Sequence, residues 1–219
     1  MKLLEVKLLT DNLSLAEKFY GKQLGFTRCH LSADELQIEM GSSVLIFRQT
    51  KEIKKPVYHF ALNIPNNRLN EAIDWISAIA SPLKLNSQGE IIADFRNWNA
   101  KSIYFIDPIG NIVEFIARFN LPNQSTEPFS VKSILTISEI GLVVNVVKNT
   151  VLEFADRFAL DIFVPSTSTE QFAALGNDEG LFIVSEKNRH WYPTMINAQP
   201  FPLEIKFETD NNVVYNLSI

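Results

Sequence analysis

The sequence predicts an α+β protein of tandem βαβββ modules. Three observations predict it. The first fifty residues read strand, helix, strand, strand; the same order restarts near residue 57; and a third round begins after residue 133, followed by the opening of a fourth. A period of roughly 50–60 residues is longer than most solenoid repeats and suits a strand–helix–strands unit.

The elements follow from pattern and turn chemistry. In LLEVKLLT, Leu4, Val6 and Leu8 alternate with Leu3, Glu5, Lys7 and Leu9, which is a strand period. Asp11 or Asn12 offers a helix N-cap, and Leu15, Ala16, Phe19, Tyr20, Gln23 and Leu24 then form one helical stripe. Gly25 stands where a left-handed residue would end that helix. LQIEM and SVLIFRQ read as strands around a turn at Gly41–Ser43. In the second round VYHFALNI is a strand, and Asn67 to Ala80 is a helix with Leu69, Ile73, Ile76 and Ala80 on one face. Pro82 stops it, and KSIYFID and NIVEFIAR flank a tight turn at Pro108–Gly110. In the third round TISEIGLVV is a strand, TVLEFADRFAL a helix, and FAALG with LFIVSEK a hairpin around Asn177–Gly180. PLEIKFET parallels YHFALNIP and opens a fourth round that ends early.

These modules divide the chain into a complete pair at 1–118, a polar linker at 119–132, and a third module with a truncated fourth at 133–219. The incomplete C-terminal sheet would expose an edge that another element or chain must cover, which argues for a homodimer.

Composition excludes several classes. The net charge is −5 with no block of like charge, which argues against phosphate-driven binding of nucleic acid. No apolar run approaches the ~20 residues that span a bilayer. Cys29 is the one cysteine, so no disulfide forms within the chain; this fits a cytoplasmic protein. Cys29 lacks the neighbours that argue for a thiolate nucleophile. There is no glycine-rich phosphate loop, no G-x-S-x-G and no H-E-x-x-H.

FYGKQLGF and IYFIDPIGNIVEF resemble the vicinal oxygen chelate superfamily, the group of glyoxalase I, extradiol ring-cleaving dioxygenases and bleomycin-resistance proteins. The resemblance covers 1–118 well and 134–219 more weakly. It implies a glyoxalase-like fold, with paired modules curving as mixed sheets around a concavity that holds a divalent metal. Carried over position by position, the metal ligands fall on Glu5, His59 and Glu114. The fourth ligand of glyoxalases falls near Ile46, which cannot bind metal, so three protein ligands remain.

Alternation gives these residues physical content. His59 shares a small, partly polar face with Ala61 and Asn63, as a cavity wall requires. Glu114 lies between Ile112 and Ile116 on its own face, so its carboxylate needs a partner or a metal. Glu5 shares its face with Lys7. One imidazole and two carboxylates suit Fe²⁺, Mn²⁺, Zn²⁺ or Mg²⁺, and Glu114 is also a candidate base. Trp98 and Asn99, with Arg96 in the same loop, and the HWYPT segment with His190 and Trp191, are candidates for the substrate pocket beside Asn63. His30 carries no motif.

The resemblance therefore implies a metal-dependent lyase, isomerase or ring-cleaving dioxygenase acting on a small oxygenated molecule. Two alternatives stand beside it. One is a metal-free protein that sequesters a drug or metabolite, as bleomycin-resistance proteins do. The other is an interaction module whose cavity is filled by side chains.

Overall fold

The computed structural model describes residues 1–163 and 168–219; the side chains of 28 and 29, and with them the reading of Cys29, lie outside that description. The first module runs β1 (Lys2–Thr10), α1 (Leu13–Ala16), β2 (Arg28–Leu31), β3 (Glu35–Met40) and β4 (Ser43–Gln49). Asn12 caps α1, its Oδ1 accepting from Leu15 N at 3.0 Å. Where the sequence predicts one continuous α-helix, α1 widens into a π-helical stretch, Glu17–Gln23, closed by Leu24 N donating to Phe19 O at 2.9 Å. Gly25, at φ 80°, then turns the chain out of the helix.

The second module runs β5 (His59–Ile64), α2 (Leu69–Ser77), β6 (Ala93–Phe95), β7 (Ala100–Ile106) and β8 (Ile112–Arg118). The helix α2 is shorter at both ends than its apolar stripe suggested. The third supplies β9 (Thr136–Val144), α3 (Val147–Phe158), β10 (Phe172–Asn177) and β11 (Gly180–Glu186). The fourth is one strand longer than expected, with β12 (Leu203–Glu208) and β13 (Val214–Ser218) paired antiparallel.

Two sheets result. One has the order β13-β12-β1-β4-β3-β2 and the other β10-β11-β9-β5-β8-β7-β6. The expected paired unit at 1–118 is therefore divided between them. The second module pairs with the third through antiparallel β5 and β9, and the first pairs with the fourth through antiparallel β1 and β12. Cross-strand charge favours this pairing, because Glu5 stands opposite Lys206 and Lys7 opposite Glu204. The C-terminal half joins the first two modules through β12 and β9, while its strands β13 and β10 stand at the ends of the two sheets. Among the described residues, no helix is long and apolar enough to cross a membrane.

The main core lies between the two sheets. Helical segments of the first and third modules wedge into it: Phe19 meets Phe105 on one sheet while Tyr20 meets Phe47 on the other, and Phe154 meets Phe182 while Phe158 meets Phe207. Phe182 and Phe207 also touch directly across the sheets, with ring centroids 5.0 Å apart. The two stretches that carry the family resemblance meet here. Tyr20 Oη donates to Asp107 Oδ2 at 2.5 Å, and Asp107 Oδ1 accepts from Ile109 N and Asn111 N at 3.0 and 2.8 Å. The Asp-Pro turn is thereby tied to the helical segment of the neighbouring module. Along β5, Phe60, Leu62 and Ile64 enter the core, which leaves His59, Ala61 and Asn63 on the opposite face.

Candidate metal centre and its cavity

On that opposite face of the seven-stranded sheet, three buried ligand-type side chains converge. His59 comes from β5, Glu114 from β8 and Glu139 from β9, and their donor atoms lie within 4.8 Å of one another. Register brings them together. Ala61 is the cross-strand partner of both Glu114 and Glu139, so the small methyl leaves room for two carboxylates to turn inward over it. His59 sits one inward position earlier, with Nε2 3.6 Å from Glu114 Oε2.

The state of each group follows from burial and neighbours. His59 Nδ1 lies 3.2 Å from Ile112 O, and a carbonyl only accepts, so Nδ1 carries the proton and Nε2 the lone pair. Burial pushes the His59 pKa down to about 4, so the ring is neutral at pH 7. Burial, reinforced by the charge of Glu139, raises Glu114 well above the usual carboxylate range; Ser102, Tyr104 and Arg118 act weakly against it. Glu139 is also raised by burial, with Arg118 opposing.

Arg118, at the end of β8, is fully buried and pairs with Glu139 through Nη2 and with Asp178 through Nη1 at 3.3 Å. Its guanidinium also lies over Trp98 and Phe163, 5.7 and 5.9 Å from their ring centroids. Burying this cation without such partners would be strongly unfavourable. Arg118 pairs with one oxygen of Glu139 and leaves that residue's second oxygen available to the site. The carboxyl of Glu114 has no such cation of its own. A proton or a metal ion satisfies both it and the Nε2 lone pair, and this donor set of one neutral imidazole and two carboxylates fits a divalent ion.

Above this floor lies a cavity of about 550 Å³. Phe95, Trp98, Tyr104, Phe172, Ile183, Trp191 and Tyr192 wall it, and Asp94, Arg96, Asn97, Thr169 and Arg189 complete the lining. Trp191 is held in place by an absent side chain. A Cβ on Gly141 would stand 2.6 Å from Trp191 Cη2, so only glycine lets the indole lie on β9. Its ring centroid is 5.4 Å from that of His59.

The structure brings together some of the residues singled out in the sequence. His59 and Glu114 meet on the floor, and Trp98 and Trp191 wall the cavity. Glu5 does not join them. It lies on β1 in the other sheet, half exposed, with Lys206 Nζ donating to its Oε1 at 3.2 Å. Asn63 is buried on the face of His59 but outside the cavity lining, its Oδ1 without a hydrogen-bond partner. Asn99 takes a left-handed conformation at φ 46° and donates to Asn120 Oδ1 at 2.8 Å, outside the cavity. His190 is exposed and bridges Asn197 through the main chain.

Glu139 takes the place expected for Glu5. Both stand two residues before the strand position that pairs with a last-strand isoleucine, since Lys7 pairs with Ile46 and Gly141 with Ile183. Ala61 pairs with Glu114 in the same relation. The position equivalent to Ile46 in the site's own sheet is thus Ile183, again a residue that cannot ligate. In sequence, Glu139 holds on the third module's first strand the position that Glu5 holds on the first module's; what the sequence lacked was which modules pair.

No protein-family model and no curated protein matches the chain. Solved structures do. A Bacillus subtilis protein described as a dioxygenase aligns over 100% of this chain and 84% of its own, with a TM-score of 0.61 at 10% identity. A V278E glyoxalase I mutant from Zea mays aligns over 90% of this chain and 70% of its own, with a TM-score of 0.52 at 12% identity. Over nearly its whole length, this chain has a glyoxalase-like fold.

Proposed function

We propose that the chain is a metal-dependent enzyme acting on a small oxygenated molecule, of the lyase, isomerase or ring-cleaving type. The observation that carries this reading is the convergence of His59, Glu114 and Glu139, all buried, beneath an aromatic cavity. His59 Nε2, Glu114 and the free oxygen of Glu139 would hold Fe²⁺, Mn²⁺, Zn²⁺ or Mg²⁺. Such an ion supplies Lewis acidity toward a substrate oxygen. Arg118 fixes Glu139 as a carboxylate, and Trp98 and Trp191 keep water from the floor. Glu114 is also the candidate base of the site.

Metal binding tests this directly. Calorimetric titration with Mn²⁺ and Zn²⁺ should show one site per chain. His59→Ala and Glu139→Gln should each weaken it by about tenfold or more, since each removes one of three ligands. Glu5→Gln should leave it unchanged. A chain that takes up neither ion would overturn the enzyme reading. The second reading, a metal-free binding protein for a small molecule, is favoured by one observation: Arg118 already supplies a cation to Glu139.

A further inference from the structure

Among the described residues, the cavity contains one arginine with no carboxylate partner. Arg189 lines it, partly buried, with its guanidinium over the Phe172 ring at 4.9 Å from the centroid. Its polar contact is a long one, Nη1 to His190 O at 3.5 Å. The other arginines with described side chains all have carboxylate partners: Arg48 with Glu35 and Glu204, Arg68 with Glu71, Arg96 with Asp94, Arg118 with Glu139 and Asp178, and Arg157 with Glu153. The residues outside the description carry no acid, so none of the chain's carboxylates escapes this comparison. Burial lowers the Arg189 pKa, the sign of a guanidinium that loses water without gaining an anion.

We propose that the cavity takes a flat aromatic carboxylate, with the ring among Phe95, Trp98, Phe172 and Tyr192 and the carboxylate paired with Arg189. The inference rests on the cavity invoked above but not on its metal. Aromatic walls favour a flat π-system over a sugar or a branched alkyl chain. The planar fork of an arginine matches a carboxylate in two parallel hydrogen bonds. One guanidinium answers one negative charge, whereas a phosphate dianion would leave a charge uncompensated close to Glu114 and Asp94. On the floor, Glu139 is already paired with Arg118.

The test uses the full chain stripped of metal with chelator, and three probes of one shape: 2-naphthoate, 2-naphthamide and 2-naphthylmethylammonium. Calorimetry should show 2-naphthoate binding about tenfold or more tightly than 2-naphthamide, the scale of a charge-assisted hydrogen bond. Arg189→Gln should remove that preference while leaving the affinity for 2-naphthamide in place. Equal affinity for the acid and the amide would overturn the proposal, as would tighter binding of the ammonium. So would an Arg189→Gln variant that keeps the preference, or a wild-type chain that binds none of the three. Repeating the titration with Mn²⁺ separates the two readings: a chain that prefers 2-naphthoate yet takes up no metal loses the metal-centre reading and keeps this one.

Discussion

At the residue scale, His59 and Glu114 face one another on the floor of the cavity. The Nε2 lone pair lies 3.6 Å from Glu114 Oε2, so a cation held between them would satisfy both. The alternation of His59, Ala61 and Asn63, and of Ile112, Glu114 and Ile116, made this face legible in the sequence. Burial of Glu114 beside apolar neighbours followed from it. Asn99 and His190 were not legible, because a loop residue's direction depends on local φ and on hydrogen bonds such as Asn99 to Asn120. The acid limb of stability tests the buried imidazole. His59 has a folded pKa of about 4 against 6.5 in an unfolded chain, so between these values the unfolded state binds more protons. Its contribution is present above pH 6.5 and is lost as pH falls toward 4, on the order of 3 kcal/mol for this shift. Ring signals in NMR should keep His59 neutral down to about pH 4. Denaturant unfolding of His59→Gln should show a flatter decline over the same window. An imidazole that titrates near its ordinary value would contradict the dry floor.

At the scale of elements, one strand and one connection shape the cavity together. Gly141 on β9 and Trp191, in the connection between β11 and β12, occupy one volume between them. Sequence patterning shows a glycine inside a strand, which commonly marks a bulge or a close approach, but cannot say what approaches. The π-helical stretch after α1 was hidden for a related reason. The stripe of Phe19, Tyr20 and Leu24 suits an α-helix, but the segment closes at i+5 while Phe19 and Tyr20 pack against Phe105 and Phe47. Gly141→Ala puts a methyl 2.6 Å from Trp191 Cη2 and 3.2 Å from His59 O. The expected result is a displaced indole, red-shifted tryptophan emission and a stability loss of about 1–3 kcal/mol, the range for overpacking. Adding Gly141→Ala to a Trp191→Ala background should cost much less, because the clashing ring is gone. If the emission of Gly141→Ala matches wild type, Trp191 does not rest on β9.

For the whole molecule, the decisive fact is which modules are neighbours. Sequence similarity among LLEVKLLT, YHFALNI and TISEIGLVV shows that each opens a module, but equal patterns give no rule for pairing them. Long-range contacts decide it: β1 with β12 through opposite charges, β5 with β9 through Ala61 opposite Glu139, and the core contact of Phe182 with Phe207. This arrangement moves the candidate site's second carboxylate from residue 5 to residue 139, the largest difference between reading the sequence and seeing the fold. It also makes the chain hard to divide. A fragment of residues 1–118 keeps His59 and Glu114 but loses Glu139, and it leaves the β5 and β1 edges unpaired. Its helical segment would still dock, since Tyr20 and Asp107 both lie within it. Expressed alone, 1–118 should therefore be collapsed but self-associating, and should bind Mn²⁺ far more weakly than the full chain. Mixed with a separately made 119–219 fragment, it should recover a single species of full-chain size, because both inter-module pairings join one fragment to the other. Light scattering and metal titration on the mixture check this. A monomeric 1–118 fragment with full metal affinity would mean that the first two modules close around the site by themselves, and that Glu139 has no part in it.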